Sequence, residues 1–356
     1  NGAPTATSGV EIETNGRLEL TSNAATYALG GGPATIVTLK GGSLGQEAGE
    51  DVTLANAVNV ALSSAIFIKN SGTTTTEEVT LSGLLSGSAG TILSLTASNL
   101  TPGEDSGRVL FTSATGNSYA GTVSVGQNMT GRFNGDYSTT AVLLNGGVVE
   151  GNGSVKSIGG LGFVSPGTSP GILTAESVDP ASGVDFEFEF TATGSPTYAA
   201  AAASVNDVLR LTSGTPLTGS FNSGNVVNLF LARPTLAEND VLQGGFFTTV
   251  DPTVSLAGAT IAAWVLGDGL GTDATLNGQG YYSLANYNTL TSNALSLSFT
   301  AVATTADFGA GSINGFVTQV SVVPEPGALA LATGGLLIAG WAARRRRWSS
   351  LVRTHG

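Results

Sequence analysis

Short runs of β-forming residues recur along most of the chain and are separated by turns rich in glycine, asparagine and serine. Typical runs are Arg17–Leu20, Thr35–Leu39, Ala65–Ile68 and Thr91–Leu95. Their spacing of about ten to fifteen residues is typical of all-β folds. Before the C-terminal tail, the helical period of 3.6 residues is not sustained anywhere, apart from a short alanine run at 199–203. Valine, isoleucine, leucine and phenylalanine recur too regularly for a disordered chain. The sequence therefore predicts an all-β protein.

The composition excludes several classes of chemistry. The 356 residues include no cysteine and a single histidine, His355. These counts exclude a disulfide framework and a thiol nucleophile. They also exclude a Ser-His-Asp triad upstream of the tail and a zinc site built on histidine or cysteine. Upstream of residue 321 there are 24 acidic residues and eight basic ones. This part of the chain is therefore acidic and offers no basic patch for nucleic acid.

One repeated form predicts stacked coils. In segment 142–155 a strand-like run is followed by Asn-Gly-Gly, a second run, Gly-Asn-Gly and a third run. Weak similarity at a short period is typical of solenoids, in which each coil buries its apolar face against its neighbours. Small residues at the corners allow such coils to stack closely.

The region 131–174 resembles a known family. It contains FNGDY at 133–137, GNGSV at 151–155 and SPGTSPGILT at 165–174. These sequences resemble the autotransporter-associated β-strand repeat and the ending found in passenger β-helices, over about residues 50–175. The resemblance implies a right-handed parallel β-helix, which we expect over residues 1–174. Passengers of this family are adhesins, surface structural proteins and occasionally enzymes, so a function does not follow from the fold.

After Thr174 the pattern changes. Residues 185–190 alternate between carboxylates and phenylalanines, which would place three of each on opposite faces of a strand. Further strand-like runs at 205–211, 226–231 and 238–249 resemble the region after the repeats in the same bacterial surface proteins. We predict a β-rich terminal section over residues 175–320. It would either close the solenoid or pack as a small sandwich.

The C-terminal tail combines a rigid turn, an apolar run and a basic cluster. Pro324 and Pro326 lack backbone donors and disfavour helix immediately before them, so a helix can begin at Gly327. Residues 327–343 contain one polar side chain. As a transmembrane helix they would span about 25 Å, near the lower limit for a bilayer core. A cytoplasmic membrane stop would be formed by Arg344, Arg345, Arg346 and Arg347. The alternative is a buried helix of a soluble domain.

This order resembles the PEP-CTERM sorting signal of Gram-negative bacterial envelope proteins over residues 321–348. The resemblance assigns the sorting and processing signal to Pro324, Glu325 and Pro326. It implies recognition by an exosortase-like membrane protease-transpeptidase and delivery to the cell envelope, the cell surface or the medium. The helix would sit in the inner membrane before processing, and 349–356 would be a cytoplasmic tail. Because an exported protein needs a signal peptide, we expect the sequence from Asn1 to be a fragment or a processed chain.

Few residues upstream of the tail are candidates for catalysis. Glu187 and Glu189 share a strand face about 7 Å apart, a separation compatible with a glycosidase pair. A solvated strand face is the alternative. Polysaccharide lyases on β-helices use arginine or lysine bases near calcium ligands. Upstream of the tail the chain has only Lys40, Lys69, Lys156 and five scattered arginines, which gives a lyase little support. We expect no catalytic residues.

Two further groups suggest ligand binding. Asp268 and Asp273 lie in a glycine-rich loop whose carboxylates suit a hard cation such as calcium. The loop matches no calcium-binding pattern in full, and an exposed turn is the alternative. Tyr281, Tyr282 and Tyr287 could line a sugar-binding surface or pack at the end of the sheet. We expect no metal and no cofactor, with calcium at the loop of Asp268 and Asp273 as the alternative.

These observations favour a non-enzymatic exported surface or extracellular-matrix protein that acts in adhesion or biofilm structure through many shallow contacts. The expected partners are the exosortase-like enzyme, the membrane and extracellular polysaccharide. One alternative is a β-helix protein that binds or degrades polysaccharide. The other is the C-terminal end of a longer passenger.

Overall fold

The computed structural model describes 13 segments of the chain, namely residues 9–21, 25–47, 49–69, 76–98, 107–114, 116–167, 170–191, 206–232, 240–248, 255–266, 281–291, 295–307 and 312–324. Within these segments the chain is all-β with parallel sheets and one short α-helix, which confirms the predicted fold class at that level.

The first fifteen strands are short. They are β1 (Val10–Glu13), β2 (Arg17–Leu20), β3 (Ala25–Tyr27), β4 (Val37–Lys40), β5 (Ser43–Gln46), β6 (Val52–Leu54), β7 (Val58–Leu62), β8 (Ser64–Lys69), β9 (Glu78–Leu81), β10 (Leu85–Gly87), β11 (Ile92–Ser98), β12 (Gly107–Phe111), β13 (Ser118–Tyr119), β14 (Thr122–Gly126) and β15 (Met129–Phe133).

The remaining elements include longer strands and the helix. They are β16 (Asp136–Gly151), β17 (Ser154–Pro166), β18 (Ile172–Val178), β19 (Val184–Phe190), β20 (Val208–Leu211), β21 (Val226–Leu231), β22 (Val241–Thr248), β23 (Thr260–Leu266), β24 (Tyr281–Ser283), α1 (Leu284–Thr291), β25 (Leu295–Asp307) and β26 (Ser312–Pro324). Two 3₁₀ turns lie at Leu29–Gly31 and Pro180–Ser182.

The short strands form three parallel ladders because each pairs with the third strand after it. The ladders are β1–β4–β7–β10–β13, β2–β5–β8–β11–β14 and β3–β6–β9–β12–β15. We call each set of three consecutive strands a coil. Five such coils stack between Val10 and Phe133.

Parallel pairing continues through the longer strands. β16 pairs with β14 and β15 on one side and with β17 on the other, so β16 and β17 each make one coil. β17 then pairs with β18 and β19, which begin the ladders β18–β20–β22 and β19–β21–β23. These are three coils of two strands, which brings the stack within the described segments to ten coils. Thr174 lies inside β18, and the predicted division there stays a prediction.

The pairing direction reverses after β23. β24 pairs antiparallel with β23, and β26 pairs antiparallel with β22. β25 and β26 form an antiparallel hairpin over their whole length. The last coil is therefore covered by a different kind of structure, which we call the cap: β24, α1, β25 and β26.

The core follows from the alternation of side chains along each strand. Every second residue of β4, β9 and β19 is buried. Paired residues of successive coils stack directly, so that Leu54, Leu81, Phe111 and Phe133 form one continuous column. The rings of Phe111 and Phe133 lie parallel, 4.6 Å apart. Complete burial of each such side chain stabilises the fold by about 1.5–3 kcal/mol.

Buried asparagines hold the corners between strands. Asn56 is fully buried, and its Nδ2 donates to the carbonyl oxygens of Leu29 (3.1 Å), Gly32 (3.0 Å) and Thr35 (2.8 Å). Its Oδ1 accepts from the Leu29 backbone N–H at 2.6 Å. Asn225 acts similarly near β19, donating to the carbonyl of Val184 at 3.0 Å. Each amide satisfies backbone groups that the turn removes from the ladders.

Candidate functional site

The outer face of β19 carries the predicted carboxylates. Phe186, Phe188 and Phe190 are buried, whereas Glu187 and Glu189 are half-buried on the opposite side of the strand. The register pairs Glu187 with Asn228 and Glu189 with Phe230 on β21. The predicted alternation is therefore confirmed, and the two carboxylates face outward together.

Aromatic residues continue this face in the next coils. Phe230 of β21 pairs with Trp264 of β23, and Asn228 pairs with Ala262. The Trp264 indole N–H donates to Asn228 Oδ1 at 3.2 Å. The Phe230 ring meets the Tyr281 ring edge-on at 5.3 Å. We call Glu187, Glu189, Asn228, Phe230 and Trp264 the outer patch.

A cleft of ≈ 490 Å³ lies between the last coil and the cap. We call it the terminal cleft; it is lined by Ile261, Ala262, Ala263, Trp264, Ser283, Leu284, Ala285, Asn288, Ser296 and Leu297. Ile261 is 37% exposed, and Ala262, Ala263 and Trp264 beside it are half-buried. A concave, mainly apolar lining with a few hydroxyl and amide groups is typical of small-ligand sites. Trp264 belongs both to this lining and to the outer patch.

A buried carboxyl lies below the patch. Asp207 is 4% exposed; its Oδ1 accepts from the Gly171 N–H and its Oδ2 from the Glu189 N–H, each at 2.8 Å. Burial raises the pKa of Asp207 well above the ordinary value, and the charges of Glu189 and Glu187 add to that increase. The two N–H donors oppose it. Burial, with the charges of Glu189 and Asp207, also raises the pKa of Tyr281 to about 12.

The basic residues of the described segments are largely paired with carboxylates. Glu150 contacts both Arg132 (2.6 Å) and Arg108 (3.2 Å), and Arg108 also lies 3.6 Å from Glu78. Three further pairs are Arg17–Glu19, Lys40–Glu11 and Lys69–Glu47. A lyase base or an anion-binding site needs a cation that is not already neutralised, and these five cations do not meet that need. Lys156 is exposed on β17.

The tyrosines proposed from the sequence lie inside the fold. Tyr281, Tyr282 and Tyr287 are 8%, 1% and 4% exposed. Such burial agrees with the packing alternative rather than with a sugar-binding surface made by these three rings.

The tail and the acidic loop fall mainly outside the described residues. Pro324 ends β26, whereas Glu325, Pro326, the run 327–343 and Arg344, Arg345, Arg346 and Arg347 lie outside, as do Asp268 and Asp273. In the part of the chain that is described, no helix has the length and apolar character needed to cross a bilayer. In that same part, no three acidic or histidine side chains lie together in a way that suits a metal ion.

Comparisons with protein-family models, curated proteins and solved structures find no significant match to this chain.

Sequence reasoning missed Asn228, Phe230 and Trp264. The sequences of β21 (VVNLFL) and β23 (TIAAWVL) do not alternate apolar with polar residues, so they do not indicate which face of its strand each residue occupies. The hydrogen bond between Trp264 and Asn228 depends on the register of β21 and β23, because these two residues are 36 positions apart along the chain. That register is set by the lengths of the intervening turns, which carry no strong local signal.

Proposed function

We propose that this protein is a non-enzymatic exported surface or extracellular-matrix protein that acts in adhesion or biofilm structure. An exosortase-like system would recognise Pro324, Glu325 and Pro326, and a helix at 327–343 would hold the chain in the membrane before processing. The stacked ladders would wind as a right-handed parallel β-helix. The arrangement that best supports this proposal is the stack of ten coils in the described segments, in which parallel pairing aligns the outer faces of successive coils.

A stack of similar coils favours adhesion because it repeats the same kind of outer surface many times. Each coil adds a rung to the same outer faces at about 4.8 Å from the last, so similar shallow contacts recur along the stack. Individually weak contacts gain strength when several are made at once. A scaffold of this kind needs no enclosed catalytic site.

The sorting part of the proposal is tested at the C-terminus of the mature protein. The full chain, fused behind a signal peptide, would be expressed in a Gram-negative host that has an exosortase-like enzyme, and the mass of the C-terminal peptide would be measured in envelope and secreted fractions. We expect loss of the residues that follow the signal, including Arg344–Arg347. The variant Pro326→Ala should retain them.

The matched control is Glu176→Gln, an exposed position on β18 far from the tail in sequence. This control should be processed like the parent chain. A mature parent protein that retains all four arginines, or that remains in the cytosol, would contradict the proposal.

A second candidate function is the binding or degradation of polysaccharide. The outer patch favours binding, because aromatic rings beside amide and carboxylate groups are typical of surfaces that hold hydroxyl-rich ligands. Incubation of the mature protein with polysaccharides, followed by analysis of released oligosaccharides, separates the two activities. Release would establish degradation, whereas retention without release would establish binding alone.

A further inference from the structure

We propose that the outer patch and the terminal cleft together bind a glycan without anionic groups, with the Trp264 indole as the surface on which a sugar ring stacks. This inference rests on the second candidate function above and assigns it a site and a ligand class. It uses three features of the described residues: a fixed aromatic ring, polar groups around that ring, and the local charge.

The first feature is the fixed orientation of Trp264. Its side chain is half-buried on the outer face of β23, where its N–H donates to Asn228 Oδ1. Phe230 lies beside it in the preceding coil and is itself held edge-on by Tyr281. A ring held in place loses little conformational freedom on binding. Sugar rings present apolar C–H faces that suit a flat aromatic surface.

The second feature is the set of polar groups around the ring. Glu187 and Glu189 lie on β19, two coils before Trp264; Glu189 is in line with Phe230 and Trp264, and Glu187 is in line with Asn228. Carboxylate oxygens accept strong hydrogen bonds from hydroxyl groups. On the other side of Trp264, the terminal cleft adds Ser283, Asn288 and Ser296. A polymer that crosses the coils would therefore meet hydrogen-bonding groups on both sides of the stacked ring.

The third feature is charge, and it selects the ligand class. The carboxylates of Glu187 and Glu189 repel uronic acid, sulfate and phosphate groups. Upstream of residue 321 the chain carries 24 acidic and eight basic residues, so its overall negative charge adds to this repulsion. Hydroxyl-rich glycans that are neutral or that carry amino groups remain. Protonated amino groups on the glycan would be attracted by the carboxylates of Glu187 and Glu189.

Trp264 fluorescence provides a direct test. The chain contains three tryptophans, and the other two, Trp341 and Trp348, lie in the tail. In the full chain with Trp341→Phe and Trp348→Phe, Trp264 is the single tryptophan reporter. The probes are hexamers of β-1,4-linked glucose, glucosamine and galacturonic acid, titrated near physiological salt. We expect saturable changes with the first two hexamers and none with the third.

Variants examined by calorimetry connect the signal to the site. In the parent chain, Trp264→Ala should weaken binding by at least about tenfold, as expected for a central aromatic contact. Trp264→Phe keeps an aromatic ring and serves as the test if Trp264→Ala does not fold. It should bind the hexamers with intermediate affinity. Glu189→Gln should weaken binding of the glucosamine hexamer more than of the glucose hexamer. Leu161→Ala is the control, at an apolar position that is 65% exposed on β17.

Three results would overturn the inference: no response to the glucose and glucosamine hexamers, tightest binding of the galacturonic acid hexamer, or unchanged affinity in a folded Trp264→Ala variant. None of these results bears on tail processing, which is measured separately by mass. Loss of glycan binding with normal processing would leave the sorting proposal intact. Normal glycan binding with an unprocessed tail would contradict the sorting proposal and leave the glycan-binding inference intact.

Discussion

At the scale of single residues, close contact between coils depends on positions that have no side chain. Gly135 lies in the turn between β15 and β16, and a Cβ atom at this position would overlap the carbonyl oxygen of Ser113 in the adjacent turn. Gly159 lies inside β17 with a normal backbone conformation, and a Cβ there would be 3.6 Å from Ser182 Oγ. The two glycines therefore differ in the space around them.

Alanine substitutions at these two positions should have different effects. Gly135→Ala should lower the free energy of unfolding by about 2–3 kcal/mol, because the backbone must move to relieve the overlap. Gly159→Ala should change it by no more than about 0.5 kcal/mol in the destabilising direction. Urea denaturation of both variants checks this difference. Equal losses would show that the overlap at residue 135 is relieved at little cost.

The buried carboxyl of Asp207 should make stability depend on pH. Its pKa is raised by burial in the folded protein, above the value of about 3.9 expected when the chain is unfolded. The contribution of this group is therefore fully present below pH 4 and is lost as the pH rises through the folded pKa. Glu187, Glu189 and Tyr281 face the same region, so the wild-type curve must be compared with that of a variant at residue 207.

Asp207→Asn is the comparison that isolates the effect. The amide can accept only one of the two backbone N–H donors, so we expect the variant to be less stable at pH 4 by about 1–3 kcal/mol. Because Asn does not ionise, this deficit should shrink steadily as the pH rises from 4 towards 8. Unfolding free energies at several pH values test the trend. A deficit that stays constant, or that grows with pH, would contradict a raised pKa for Asp207 in the folded protein.

At the scale of elements, charged residues connect coils on their outer faces. Glu150 of β16 contacts Arg132 of β15 and Arg108 of β12, and these side chains are 16%, 21% and 27% exposed. Partial burial makes such a cluster stronger than an isolated surface pair, although solvent still screens it. The cluster thus joins three neighbouring coils by electrostatic contacts in addition to the ladder hydrogen bonds.

Neutralising the central carboxylate tests that contribution. Glu150→Gln should lower the free energy of unfolding by about 1 kcal/mol at low salt, because two arginines lose their common partner. The loss should become smaller at about 1 M salt, where the screening length is about 3 Å. Glu176→Gln, on the exposed side of β18, should show neither effect. A loss that does not change with salt would mean that packing, not charge, accounts for it.

The sequence predicted burial within single strands but not contacts between coils. The alternation in 185–190 predicted which side chains of β19 are buried, because a strand has a fixed period of two residues. Asp207 was missed because its two donors lie 36 and 18 residues away along the chain, at positions set by coil registration. The sequence also left open whether residues 175–320 close the solenoid or form a sandwich. Turn lengths determine the register between coils. Because many sequences can form the same turn, the sequence does not reveal that register.

At the scale of the whole molecule, stability is expected to be local along the stack. Nine steps between ten coils, at about 4.8 Å each, give a column about 43 Å tall. In the described segments each internal coil pairs with the coils before and after it, and the cap pairs with β22 and β23 of the last coil. In a solenoid, stability is approximately a sum of coil terms and nearest-neighbour terms. A defect in one coil should therefore weaken its neighbours more than distant coils.

Val109→Ala provides such a defect. Val109 is fully buried in β12 and pairs with Val79 of β9 and Gly131 of β15. Removing its two methyl groups should cost about 2–3 kcal/mol. Backbone amides of β9, β12 and β15 should then exchange with solvent deuterium faster, while those of β20 and β21 change little. Leu161→Ala is the exposed control and should leave all regions unchanged. Uniform acceleration along the whole chain would instead mean that the column opens in a single cooperative step, with no boundary between coils at which the defect is confined.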